Sequence, residues 1–265
     1  MGSGTVEHFE ISLNTPAGRI TTGIGVPTGS VPIASIVPLL RGLGEQVQAL
    51  EQEQLTASGQ VISCRKGCSA CCRMLVPVSA PEAFALAQAF ERYDEATRKA
   101  LTARLEAAKQ RLSEAGLWQR LTELSESHEP PSDEAIEPVN RDYYALRMAC
   151  PFLENDTCLI YHDRPSACRE LTVTSPAALC DNLLSPAVRP VPLSVRVSTA
   201  LGLLWAELTD TVPRLIPLPL ALDWARTHAE ERRREWPGTT LLDKALDKIW
   251  RYISQEFQRR NSTPS

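Results

Sequence analysis

The first strongly patterned segment of the chain alternates between apolar and polar side chains. Phe9, Ile11 and Leu13 are separated by single polar residues, as in a half-buried β-strand. The turn-forming sequence N-T-P-A-G follows, and a second apolar-rich stretch continues to Val26. The pattern predicts a β-hairpin over residues 5–25.

From residue 33 onwards, apolar side chains recur every three or four positions, which is the period of an amphipathic helix. This spacing predicts a helix over 33–57, ended by Gly59. A second helical region is predicted to begin at S-A-P-E, with Ser79 as its cap, and to run with breaks to about residue 125. The stretch 127–137 is rich in proline, serine and acidic residues, and we expect a loop there.

The second half of the chain is also predicted to be mainly helical. Asn155-Asp156 stands between two short apolar runs and is typical of a two-residue hairpin turn. Such a hairpin would bring Cys150 and Cys158 close together. Helical patterns cover the ranges 142–148, 195–209, 218–234 and 240–259.

These patterns predict a mainly α fold with small β-hairpins and an irregular cysteine-rich centre packed among helices. The chain has 265 residues, enough for one domain with a large core, and we expect a single domain over 1–265. Its parts would be an N-terminal hairpin and helix (1–59), a cysteine core (60–182) and C-terminal helices (183–265).

Composition and charge exclude several classes of protein. Hydrophobic residues make up 43% and charged residues 23%, and the formal net charge of −4 argues against a nucleic-acid-binding surface. The sequence contains no run of about 18 apolar residues, so no membrane span is predicted. The N-terminal sequence does not have the pattern of a secretory signal, so we expect a cytoplasmic protein, in a compartment where stable disulfides are uncommon.

The sequence S-C-R-K-G-C-S-A-C-C-R, residues 63–73, contains four of the eight cysteines. A disulfide framework, a redox-active thiol pair and a metal site are three competing interpretations. The expected compartment disfavours the first, and a redox motif would be expected between a strand and a helix, which the pattern does not show. Thiolates at short spacing converge with little loop-closure cost and bind zinc, copper(I) or iron–sulfur clusters. A metal site is therefore the leading interpretation.

The spacing of Cys64, Cys68 and Cys71 also matches the cluster motif of radical-SAM enzymes. Those enzymes build a barrel from repeated strand–helix units, and the mainly helical pattern here disfavours that fold. Arg65, Lys66 and the nearby Arg73 would favour the thiolate form of these cysteines.

Together with C-P-F-L-E-N-D-T-C-L-I-Y-H-D-R-P-S-A-C-R, which begins at Cys150, this segment resembles the bacterial cysteine-cluster family over roughly residues 60–182. That family is described as zinc- or iron-chelating and also as iron–sulfur-containing, and flagellin lysine N-methylases carry a related cluster. Methylase activity is not implied, because no glycine loop for S-adenosylmethionine is recognisable. The resemblance implies a chelating set, whose last member has two interpretations, a ligand or a core residue: Cys64, Cys68, Cys71, Cys72, Cys150, Cys158, Cys168 and Cys180.

Residues around the second cysteine group have two interpretations each. The guanidinium groups of Arg164 and Arg169 could offset cluster charge or hold a carboxylate, or they could form ordinary ion pairs. Tyr161 could donate to a sulfur or simply cover the hairpin, and His162 is either a ligand or an exposed loop residue.

The number of cysteines exceeds what one tetrahedral ion requires, since zinc takes four ligands. Seven or eight thiols suit an iron–sulfur cluster with spare thiols, or two zinc or iron ions, with adjacent Cys71 and Cys72 serving different metal atoms. Two functions stay open. The metal could support redox chemistry or modification of a protein or peptide, or a purely structural zinc could serve a non-enzymatic interaction module.

Overall fold

The computed structural model describes residues 5–130, 132–183 and 185–262. Within them the chain is mainly α-helical and its strands form small antiparallel pairs, which confirms the predicted fold class. The helices are α1 (Val37–Ala57), α2 (Ala80–Arg92), α3 (Glu95–Glu114), α4 (Leu117–Glu126), α5 (Asp133–Ala145), α6 (Ser166–Glu170), α7 (Val197–Thr209), α8 (Ala221–Thr227), α9 (Ala229–Arg232) and α10 (Gly238–Ser262). The strands are β1 (Val6–Thr15), β2 (Gly18–Pro27), β3 (Ser30–Pro32), β4 (Pro77–Val78), β5 (Leu153–Glu154), β6 (Thr157–Cys158), β7 (Ile216–Pro217) and β8 (Glu235–Pro237).

The N-terminal hairpin is confirmed. β1 and β2 pair in register from Val6 opposite Pro27 to Thr15 opposite Gly18. The alternation in the sequence places one face inward, where Leu13 and Val26 are fully buried against α1 and α10.

The helix predicted over 33–57 is also confirmed, with a 3-10 turn (Ile33–Ile36) leading into α1. It ends where predicted, because Gly59 adopts φ +78°, a left-handed conformation that stops a helix and suits glycine.

The loop predicted over 127–137 is wrong beyond residue 132. The Ser132 hydroxyl accepts a hydrogen bond from the amide of Ala135 at 3.3 Å, and Asp133 and Glu134 occupy the first turn, so this acidic stretch starts α5. The helix continues through Pro138. The helix predicted over 142–148 is therefore only the last turn of α5, followed by a turn at 146–147.

The C-terminal predictions hold with shifted boundaries. α7 lies within 195–209, and α10 begins two residues earlier than predicted. The range 218–234 is divided into a 3-10 turn, α8 and α9, with His228 between the two α-helices.

The main core draws on segments from both ends of the chain. Apolar side chains of the hairpin, α1, α2, α7, α8 and α10 meet there, with Phe84 packed edge-on against Trp205 and at a tilt against Trp224. β4, just after the first cysteine group, pairs with β7, and the amide of Leu218 donates to the carbonyl of Val76 at 3.0 Å. The cysteine loop is thereby fixed to the C-terminal half. None of the described helices combines the length and apolar character needed to cross a bilayer.

Candidate metal centre

The first cysteine group folds as successive tight turns rather than as regular structure. The amide of Cys68 donates to the carbonyl of Arg65 at 3.0 Å, and that of Cys72 to the carbonyl of Ser69 at 3.0 Å. Gly67 adopts φ +86°, a left-handed conformation that glycine adopts readily, and this allows the tight turn between Cys64 and Cys68.

The second group lies on a hairpin and a short helix. Asn155 and Asp156 have φ 47° and 58°, as a type I′ turn requires, and β5 and β6 pair with Leu153 opposite Cys158. The hairpin predicted from Asn155-Asp156 is confirmed. Cys168 follows on α6.

The two groups contact each other directly. The amide of Cys150 donates to the carbonyl of Cys72 at 2.7 Å. Nearby, the Ser69 hydroxyl donates to Oδ1 of Asp156, 2.5 Å away. Segments some 80 residues apart are thus held together by protein hydrogen bonds.

Most of the cysteines surround one cavity, which we call the inner cavity, with a volume of about 230 Å³. Its wall includes apolar side chains such as Phe152 and Leu218. A second, more polar space of about 190 Å³ lies on the side of α1 and is called here the α1-side cavity. The cysteines of the inner cavity are Cys68, Cys71, Cys72, Cys150, Cys158 and Cys168, and those of the α1-side cavity are Cys64, Cys68, Cys71 and Cys168. A further cavity of about 550 Å³, between α2, α3 and α8, is bordered by no cysteine.

Cys180 borders neither cysteine cavity. It is 5% exposed and packs with Val173 and Val188, while Cys64 lies against the same small apolar cluster. The amide of Val173 donates to Sγ of Cys64 at 3.4 Å. This environment is that of a small buried hydrophobe.

All eight cysteines are free thiols. Burial raises the pKa of Cys168 to about 12, and it also raises the pKa of Cys150 and of Cys158. The pKa of Cys71 is raised chiefly by its hydrogen bond with Cys72, and then by burial. The positive charge of Arg164 acts in the opposite direction on Cys71, Cys158 and Cys168.

The donor set suits metals that prefer sulfur. Six thiols face the inner cavity, and Asp156 is the one acidic residue among the described residues that line it. Across the described ranges, however, no three Cys, His, Asp or Glu side chains are already arranged to hold one ion. The thiols surround a space rather than converge on a point.

A buried carboxylate outside the predicted set of site residues supports this centre. Glu82 is fully buried on α2, and its Oε1 accepts from the amide of Ser166 at 2.7 Å and from Arg41 at 3.1 Å. Ser79, the predicted cap of α2, donates to Glu82 Oε2 at 3.0 Å instead of capping an amide. The spacing S-x-x-E at 79–82 signalled a helix start, but the contact with Ser166 depends on the tertiary fold.

The two arginines that flank Cys168 differ. Arg169 pairs with Glu45 and donates to the carbonyls of His162 and Arg164. Arg164 stacks on the ring of Tyr161, 4.3 Å from its centroid, and forms no ion pair within the described residues. The ion-pair interpretation therefore holds for Arg169 but not for Arg164.

His162, a possible ligand from the sequence, and the two nearby carboxylates Asp163 and Glu170 do not border either cysteine cavity. His162 is exposed, and its ring contacts that of Tyr161. Asp163 accepts from the hydroxyl of Tyr93 at 2.7 Å. Glu170 accepts from the amide of Ser198 at 2.9 Å, which links α6 to α7.

Comparison with known families agrees with this arrangement. Residues 63–181 match a family model described as "Putative zinc- or iron-chelating domain". This segment is a cysteine-cluster domain. The matched range includes all eight cysteines and supports cysteine-based metal binding, but it does not confirm the relation to flagellin lysine N-methylases. No curated protein and no solved structure matches the chain.

Proposed function

We propose that the cysteine-cluster domain holds a polynuclear metal centre, either an iron–sulfur cluster or a pair of zinc or iron ions. The observation that supports this most is the ring of six thiols around the inner cavity, contributed by two segments that contact each other. Thiolate is the ligand that zinc and iron–sulfur clusters prefer.

The number and placement of the thiols favour more than one metal atom. One tetrahedral ion uses four ligands, and six thiols around a space leave two in excess. The neighbours Cys71 and Cys72 would then serve different metal atoms. Cys64, at the α1-side cavity, is a seventh candidate ligand, and Cys180 is assigned to packing because it borders neither cavity.

The surroundings favour a reactive centre over a structural staple. The Cys150–Cys72 and Ser69–Asp156 hydrogen bonds join the two cysteine groups, so the protein itself contributes to holding them together. The six cysteines of the inner cavity are partly exposed as residues, although burial raises the pKa of the Cys150 and Cys168 thiols. A metal held there would be accessible and could support redox chemistry or modification of a protein or peptide; a structural zinc site is closed.

Anaerobic purification, with metal and acid-labile sulfide analysis and a visible spectrum, tests this proposal. Iron with sulfide and broad visible absorption would identify a cluster; a colourless protein with about two zinc ions per chain would identify a zinc pair. Cys68→Ser and Cys158→Ser should each lower the metal content, whereas Cys180→Ala and the surface control Arg233→Ala should not. Full metal content in both serine variants would refute the shared centre.

A further inference from the structure

The α1-side cavity has a polar wall that the metal proposal leaves unused. Cys64, Cys68, Cys71 and Cys168 form one side, and the side chains of Arg65 and Arg164 border the same space. On the opposite side, Gln48 and Gln52 are four residues apart on α1, and therefore on the same face of the helix.

Arg164 is the unusual member of this wall. It borders both cysteine cavities, and its Nε is buried without a hydrogen-bond partner. Its guanidinium lies over the ring of Tyr161, with Cζ 4.3 Å from the ring centroid, a contact that favours this position of the side chain. The guanidinium is thus partly shielded from water, and no carboxylate among the described residues pairs with it, so an anion at this position would gain a charge-assisted contact.

The neighbouring charges leave the position available. Arg65 forms no ion pair within the described ranges, while Arg169 is occupied by Glu45. Glu51 also borders the cavity, but its Oε1 accepts from the amide of Ser194 at 2.6 Å. In a chain with a net charge of −4, this wall carries an excess of positive charge, which attracts anions locally.

We propose that the α1-side cavity binds a small oxyanion, a carboxylate or a phosphate, with Arg164 as its main contact and Arg65 as a second cation. A guanidinium fork matches both groups through two parallel hydrogen bonds. The volume of about 190 Å³ admits a small molecule or the acidic end of a larger one. Only the placement of the anion beside a metal rests on the proposed function; the binding site itself does not.

A competing role for Arg164 is to offset the negative charge of the thiolates. That role requires no added ligand and would make metal content depend on Arg164. The oxyanion site requires instead that an added ligand binds, and that the affinity depends on the negative charge of the ligand.

Isothermal titration calorimetry of the 265-residue chain distinguishes these roles. The metal-free and the metal-loaded protein are each titrated with succinate, with inorganic phosphate and with neutral succinamide. Succinate or phosphate should bind and succinamide should not, and the tighter of the two oxyanions identifies the ligand class. Arg164→Gln should weaken binding about tenfold or more, and Arg164→Lys less, because lysine keeps the charge without the fork. Arg233→Gln, on the exposed surface, should bind as the wild type does.

Two results would overturn the proposal: absence of oxyanion binding to either form of the wild type, or equal binding by Arg164→Gln. If Arg164→Gln fails to fold, Arg65→Gln and Arg164→Lys still report on the site, and unchanged binding in both would also overturn it. Oxyanion binding through Arg164 in a protein that takes up no metal would support this site while refuting the metal centre.

Discussion

Oε1 of Glu82 accepts a hydrogen bond of 2.7 Å from the backbone amide of Ser166, 84 residues further along the chain. Ser166 is the first residue of α6, the helix that carries Cys168. The same carboxylate pairs with Arg41 of α1. One buried carboxylate thus links the helix that carries Cys168 to α1, which precedes the cysteine core, and to α2, which lies between the two cysteine groups.

Glu82→Gln should destabilise the protein by about 3 kcal/mol, because it leaves the buried guanidinium of Arg41 without its counter-charge. It should also lower metal content, since the amide of Ser166 loses a charged acceptor and α6 is held less firmly. Urea unfolding and metal analysis measure the two effects.

The matched control is Glu91→Gln on the same helix, α2. Glu91 pairs with Arg232, but its side chain is 61% exposed, so its loss should change stability by less than about 1 kcal/mol. Equal effects of the two substitutions would contradict the role given to Glu82.

Gly67 and Gly59 provide a second matched pair. Both adopt positive φ, and a Cβ at either position would meet no atom within 4 Å. Replacing either glycine with alanine should therefore lower the free energy of unfolding by about 1 kcal/mol, through backbone strain alone. Only Gly67→Ala, between Cys64 and Cys68, should reduce metal content, and an equal loss in Gly59→Ala would show that the effect is general destabilisation.

Local sequence predicted the elements whose causes are local. The alternation around Leu13, the turn at Asn155-Asp156 and the helix stop at Gly59 all depend on residues within a few positions, and all three are confirmed. The start of α5 was missed because its composition resembled a loop, although Ser132 followed by two acids is also a helix start.

The arrangement around the cysteines could be predicted only in part. Spacing indicated that thiols would gather, but the contacts that position them join distant segments, as in Glu82 with Ser166 and β4 with β7. Such pairings depend on the packed core. Sequence also does not predict that Arg164 has no carboxylate partner among the described residues while Arg169 has one, because both arginines flank Cys168 in the same way.

The contact between α7 and α10 should depend on pH. Glu207 pairs with Lys244 and Lys248, and the hydrogen bond from Lys244 is the main cause that holds the pKa of its carboxyl below the ordinary 4.5. The folded pKa is lower than the unfolded one, so this stabilisation is complete above about pH 4.5 and is lost as the pH falls through the folded value.

Glu207→Gln should accordingly be less stable than the wild type at pH 7, with the difference narrowing below pH 4.5. Unfolding curves at several pH values measure this, and Glu10→Gln on the exposed face of β1 is the control. A difference between wild type and Glu207→Gln that stays constant down to pH 2 would contradict the assignment.

The segment 63–181, excised from the chain, should not fold by itself. Phe84 packs on Trp205 and Trp224, and β4 pairs with β7, so the partners of its buried residues lie outside it. We expect the isolated segment to show a largely unfolded circular dichroism spectrum with and without added zinc. A cooperative thermal transition in the isolated segment would show instead that the cysteine core is an independent domain.

X-ray absorption at the edge of the bound metal tests the polynuclear cysteine centre most directly. We expect a shell of sulfur neighbours at about 2.3 Å together with scattering from a second metal atom. Loss of both features in Cys158→Ser, and their retention in Cys180→Ala, would tie them to the inner cavity. A shell of nitrogen and oxygen ligands, or four sulfurs around an isolated ion, would contradict it.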